Sequence, residues 1–170
     1  MTPESVGPLS RPILVERLPP EGLEETVVAT PEECARLAED FKLPAIHALS
    51  GRFKLKGSPH RVRVAGRIEA SITQVCVVTL DLFDSILEED IEVDFAAPEY
   101  ASAQASGREG EEPPDEIVNG RIDLGALTAE FLALGLDPYP RKPGVTFDRD
   151  AAKDQSDSPF AALGTLNRDE

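Results

Sequence analysis

From Ala45 to Phe95 polar and apolar residues alternate with a period of two over some fifty positions. Successive side chains of a strand point to opposite faces, so such a run specifies long strands with one face buried and one solvated. "ALSGRFKLK" and "RVRVAGRIEASITQV" flank "GSPH", which reads as a turn, and "VCVVTLDLF" and "SILEEDIEVDF" continue the sheet. The fold class expected is α+β: a strongly curved, barrel-like antiparallel sheet with two helices packed against it.

Short β-rich runs precede this block. "RPILVERL" and "LEETVVA", separated by the turn signal "PPEG", predict an opening hairpin. Thr30, Pro31 and Glu33 form a capping-box pattern, and Cys34, Leu37, Ala38 and Phe41 follow at helical spacing. That helix should end near Leu43-Pro44. Residues 97–115 are rich in Ala, Ser, Gly, Pro and Glu and read as a mobile acidic loop. Asp123 caps a second helix to about Leu134, stopped by Gly135, with Leu124, Leu127, Phe131 and Leu134 on one face. The division expected is one α+β domain over residues 1–147 and a disordered C-terminal tail over residues 148–170.

The hydrophobic share of 41% suffices for one core, but with 5% aromatics and no Trp that core must be built from Leu, Val, Ile and Ala. Thirty-two acidic residues against 17 basic give a net charge of −15, which repels a bare phosphate backbone at long range. An RNA partner therefore requires a local basic patch. No apolar run has the length of a membrane span, and "MTPESVGPLSRP" lacks the features of a secretory signal, so a cytoplasmic protein is expected. Cys34 and Cys76 lie in apolar patterns and read as reduced, buried thiols. Cys76 in particular is expected to be unreactive.

The basic patch exists. "RFKLKGSPHRVRVAGR" carries six basic side chains and no acidic one. Strand alternation puts Arg52, Lys54 and Lys56 on one face and Arg61, Arg63 and Arg67 on the matching face of the next strand. Together they are the candidate contacts to RNA phosphate. The competing reading is internal: residues 81–116 hold thirteen acidic residues and one basic, and Asp90, Glu92 and Asp94 share a strand face. Cross-strand charge pairing would neutralise the cations, and the pattern favours it. A carboxylate-metal nuclease would need a ligand set that consecutive strand acids, pointing to opposite faces, do not provide. His47 and His60 are the only histidines, and no nucleophile elbow, phosphate loop or zinc-spaced cysteine pair occurs. No catalytic residue, metal or cofactor is expected.

In order along the chain stand "RVAGRIEASITQVCVVTL", "IEVDF", an acidic loop, "EIVNGRIDLGALTAEFLALGLDPYPRKPG" and "SPFAALGTL". This order resembles the YceD-like family, the large ribosomal RNA subunit accumulation proteins of bacteria and plastids, over roughly residues 45–166. The resemblance implies a non-enzymatic factor in processing or accumulation of large-subunit (23S) ribosomal RNA, working by binding RNA or a pre-ribosomal partner. The other reading is an acidic adaptor that shields a basic ribosomal protein before assembly. Asp123, Leu124 and Glu130 match the family's "IDL…E" helix. Cys76 matches the first cysteine of a C-x-R-C segment that family members often carry, but Val78 and Thr79 replace the arginine and second cysteine, so no metal site or disulfide carries over.

The tail poses its own question, because Ser158, Pro159, Phe160, Leu163 and Leu166 form an apolar island among charged residues. Ordering this segment and burying its side chains nearly cancel, at roughly 1–2 kcal/mol per residue against 1.5–3 kcal/mol per large side chain. The island is therefore expected to be a partner-docking element that orders on binding, in a protein expected to be a monomer.

Overall fold

A computed structural model describes residues 7–100 and 113–146. Seven strands are present: β1 (Pro12–Leu14), β2 (Leu23–Val28), β3 (Ala45–Ser58), β4 (Arg61–Val75), β5 (Leu82–Ala96), β6 (Asp115–Glu116) and β7 (Arg121–Asp123). Among the described residues these are accompanied by the helices α1 (Pro31–Asp40) and α2 (Leu124–Gly135), a 3-10 turn at Val15–Arg17 and a helical turn over residues 98–100. The main sheet has the order β2-β3-β4-β5-β6, and β1 and β7 form a separate antiparallel pair. The class is α+β, as the alternation predicts, but the sheet is not closed into a barrel. It is also mixed rather than antiparallel throughout, because β6 joins β5 in parallel.

The long strands follow the alternation. Phe53, Leu55, Val62, Val64, Ile68, Ala70 and Ile72 are buried, while their charged neighbours face solvent. α1 begins with the full capping box: Glu33 N–H donates to Thr30 Oγ1 and Thr30 N–H donates to the Glu33 carboxylate. Glu33 also pairs with Arg11 at 2.9 Å, and that contact lowers its pKa. Asp123 caps α2 by accepting from Gly125 and Ala126 N–H, and it also accepts from Arg11 N–H and the Ser10 hydroxyl. One carboxylate thus ties the segment before β1 to the start of α2.

Four expectations need correction. The opening hairpin does not form: β1 pairs with β7, and β2 pairs with β3. The intervening Pro19 and Pro20 supply no ladder donors, and Ile13 instead meets Ile122 across the β1–β7 pair. "CVVTL" is not strand but the turn between β4 and β5, closed by Cys76 N–H to Asp81 O and Leu80 N–H to Cys76 O, with Leu80 at φ +61°. Leu134 is not on the buried face of α2. That helix is apolar nearly all round, and its buried stripe is Leu124, Leu127, Thr128 and Leu132, leaving Leu134 71% exposed. α1 ends at Asp40, before the expected Leu43-Pro44 boundary.

The ends of the expected 97–115 loop are ordered. Ala97 N–H donates to His60 O, and Ile117 N–H beyond β6 donates to Ala96 O. Its middle, residues 101–112, and the tail from residue 147, with Ser158, Pro159, Phe160, Leu163 and Leu166, lie outside the described residues.

Candidate functional site

Both helices pack on the face of the sheet that carries the core. The opposite face has no layer over it among the described residues, and its side chains alternate outward from β2 to β5. The register aligns them in rows. Arg52 of β3 lies opposite Arg67 of β4, which lies opposite Asp90 of β5. Lys54, Ala65 and Glu92 form the next row, and Lys56, Arg63 and Asp94 the one after. All six candidate cations, Arg52, Lys54, Lys56, Arg61, Arg63 and Arg67, are exposed on this one face.

Four of the six are spent on neighbouring carboxylates. Arg63 holds Asp94 at 3.0 Å and reaches Glu92 at 3.4 Å, and Arg61 reaches Asp94 at 3.5 Å. Arg67 bridges Glu88 at 2.8 Å and Asp90 at 3.7 Å. Lys54 pairs with Glu24 of β2 at 2.7 Å. The bond from Arg63 is the main cause of a lowered Asp94 pKa, and the bond from Lys54 does the same for Glu24. Each exposed pair contributes little stability. Their effect is on charge: the basic strands β3 and β4 are neutralised from both sides. Arg52 and Lys56 alone among the six make no side-chain hydrogen bond or ion pair among the described residues.

Sequence reasoning missed one polar group on the same face. A register shift between Ile46 and Ala48 brings His47 beside Thr73, with Nε2 to Oγ1 at 2.7 Å. The Thr73 hydroxyl donates to Asp84 at 2.6 Å. Because the hydroxyl proton points at the Asp84 carboxylate, Nε2 is the donor toward Thr73 Oγ1. The group is a polar pin across β3, β4 and β5. Only the register shift, invisible in the alternation, brings these residues together.

Cys76 sits beyond the end of this face. Its side chain has no exposed surface, as expected. Its surroundings are polar, however: the thiol meets the Thr79 hydroxyl and the backbone N–H groups of Lys142, Thr79 and Val78, and these donors lower its pKa to about 7. The cover is thin, so desolvation opposes them only weakly. The burial is as expected, and the polar surroundings add a lowered acidity constant that the apolar pattern does not foretell. Labelling of the native protein should be slow because of cover, yet its rate should rise with pH around 7 rather than near 9. Thr79→Val should move that midpoint upward. A rate profile with an ordinary thiol midpoint in the unmodified protein would contradict this. Cys34, by contrast, has its pKa raised by burial.

No group of His, Cys, Asp and Glu among the described residues is arranged to hold a metal ion. No helix among them is long and apolar enough to cross a membrane. No family model, curated protein or solved structure matches this chain.

Proposed function

We propose that this protein is a non-enzymatic, cytoplasmic factor in the processing or accumulation of large-subunit (23S) ribosomal RNA, and that it works by binding a basic pre-ribosomal protein. The ribosomal assignment rests on the ordered motifs that resemble the YceD-like family. The preference for a protein partner rests on one observation: four of the six cations in the basic hairpin are held by the protein's own carboxylates. An RNA phosphate would have to displace those carboxylates at each of these positions, whereas a cationic polypeptide meets a chain of net charge −15 that attracts it. Ribosomal proteins of the large subunit are cationic ligands of this kind.

Direct RNA contact is the second reading, and Arg52 and Lys56 favour it because they are exposed and make no side-chain hydrogen bond or ion pair among the described residues. The two readings separate by capture of the tagged full chain from cells at moderate salt, with and without nuclease, followed by sequencing of bound RNA and mass analysis of bound proteins. Under the first reading a basic large-subunit protein survives nuclease treatment, and the double variant Arg52→Glu/Lys56→Glu captures it as well as the parent does. Under the second, bound RNA is lost in that variant.

A further inference from the structure

Among the described residues the main sheet ends in an open edge. β6 covers only Phe95 and Ala96 of β5, and among the described residues no strand lies beside the stretch from Leu82 to Asp94. The direction of its free backbone groups follows from two hydrogen bonds. Ala97 N–H donates to His60 O on the β4 side, whereas Ala96 O accepts from Ile117 N–H on the far side. The β4–β5 register runs without a break from Arg61↔Ala96 to Val75↔Leu82. Backbone polarity alternates along a strand, so the N–H and C=O groups of Leu82, Asp84, Ile86, Glu88, Asp90 and Glu92 point away from β4. Among the described residues nothing pairs with them, and they form a row of the kind that natural proteins normally shorten, bulge or cover.

A groove of about 570 Å³ runs along the first half of this edge. β5 forms one wall. Gly135, at the end of α2, and the segment through Asp137, Pro140 and Pro143 form the other. That second wall is fixed to the β4–β5 turn: Val77 N–H donates to Pro140 O, Lys142 reaches Asp81 at 3.9 Å, and Lys142 N–H meets the Cys76 thiol. Its prolines offer no N–H that would compete for a strand's carbonyls.

We propose that this edge accepts an extended peptide segment as an added strand, and that the segment alternates basic and apolar residues. Charge selects the occupant. β5 carries Asp84, Glu88, Glu89, Asp90, Glu92 and Asp94 and no basic residue. Lining the groove are Asp84, Glu88, Glu89 and Asp137 with one cation, Arg141; Glu88 is already held by Arg67 and Asp84 by the Thr73 hydroxyl, so Glu89 and Asp137 are the lining carboxylates that make no ion pair among the described residues. A second copy of β5 would set carboxylates against carboxylates, and an RNA strand would meet the same repulsion. In an added strand, side chains on the outward face fall beside Asp84, Ile86 and Glu88, while those on the inward face meet Phe83, Ser85, Leu87 and Glu89. That alternation sets the sequence preference, and main-chain pairing supplies the affinity. The inference rests on the protein-partner reading above and names the surface that such a partner would use.

The test uses the full chain and a labelled synthetic peptide of alternating lysine and valine, followed by fluorescence anisotropy. Ile86→Pro removes an N–H that faces the open edge and leaves the β4 ladder intact. It should weaken peptide binding by roughly tenfold or more, while Ile86→Ala should bind as the parent does. Should Ile86→Pro fail to fold, a peptide N-methylated at alternate residues provides the same block from the ligand side and should lose binding to the unmodified protein. Equal binding by Ile86→Pro, or by the N-methylated peptide, would overturn the proposal. So would equal binding of a glutamate–valine peptide, or displacement of the lysine–valine peptide by a single-stranded RNA. These outcomes are read in vitro and do not depend on whether ribosomal components are captured from cells, so failure of the edge and failure of the ribosomal reading are distinguishable.

Discussion

Gly66→Val should lower stability by about 3 kcal/mol, at the upper end of what overpacking a tight core site costs. In a chain of this size that corresponds to a fall in Tm of roughly 6–12 °C. Gly66 lies on the inward face of β4, opposite Phe53 of β3. A Cβ there would stand 2.3 Å from the Arg52 carbonyl oxygen and 2.8 Å from the Phe53 ring. The neighbour that would have to yield is backbone inside a sheet, not the end of a flexible side chain. Gly51 on β3 is also under that ring, with its own Cβ position 2.6 Å from Phe53. The ring, 2% exposed, therefore fills the space of two missing side chains. Thermal unfolding of Gly66→Val checks the expectation, and a Tm within a degree or so of the parent's would contradict it.

The second large effect should come from Asp123→Ala. Loss of the N-cap costs α2 about 1 kcal/mol. The Arg11 N–H and the Ser10 hydroxyl also lose their acceptor, and each such orphaned partly buried donor adds to the cost. The total expected is about 2–3 kcal/mol by denaturant titration. Asp123→Asn keeps an acceptor oxygen in the same place and should recover much of the loss. If Asn proves as damaging as Ala, the carboxylate charge rather than the hydrogen bonding is what matters at this position.

Both residues show what can be read from the chain and what cannot. The cap at Asp123 is legible because caps are local: a short polar side chain before an apolar helix is enough. The same holds for Thr30 and Glu33 on α1. The three long strands are legible because one buried face imposes a largely regular alternation along β3, β4 and β5, broken at the register shift by Ile46 and Ala48 and at the buried run Ile72 to Gln74. What fails is everything set by distant partners. The β1–β7 pair joins residues more than a hundred positions apart, and no local signal competes with the apparent "PPEG" hairpin. "CVVTL" has strong strand propensity, yet the ladder stops at Val75 and the Pro140 carbonyl claims the Val77 N–H. Tertiary pairing overrides local preference there. The second role of Asp123, as anchor for Ser10 and Arg11, is hidden for the same reason.

For the candidate site, alternation places all six cations on one face, and acidic alternation in β5 places the carboxylates beside them. The pairing of most of them is therefore foreseeable from composition of neighbouring strands. Which two make no ion pair among the described residues is not, because it depends on register: Arg52 sits between Thr26 and Arg67, and Lys56, one row beyond Glu24, acts on that carboxylate only at a distance. The open β5 edge is invisible in the sequence altogether, since strand order is a property of the assembled sheet.

The central claim is that this chain serves large-subunit assembly by binding a basic protein. Capture of the tagged full chain at moderate salt, with nuclease treatment before elution, tests it most directly. The account predicts that a basic large-subunit ribosomal protein remains bound after the RNA is digested and is released as ionic strength rises. Recovery of ribosomal RNA alone, lost on digestion and lost in Arg52→Glu/Lys56→Glu, or recovery of no ribosomal component at all, would contradict it.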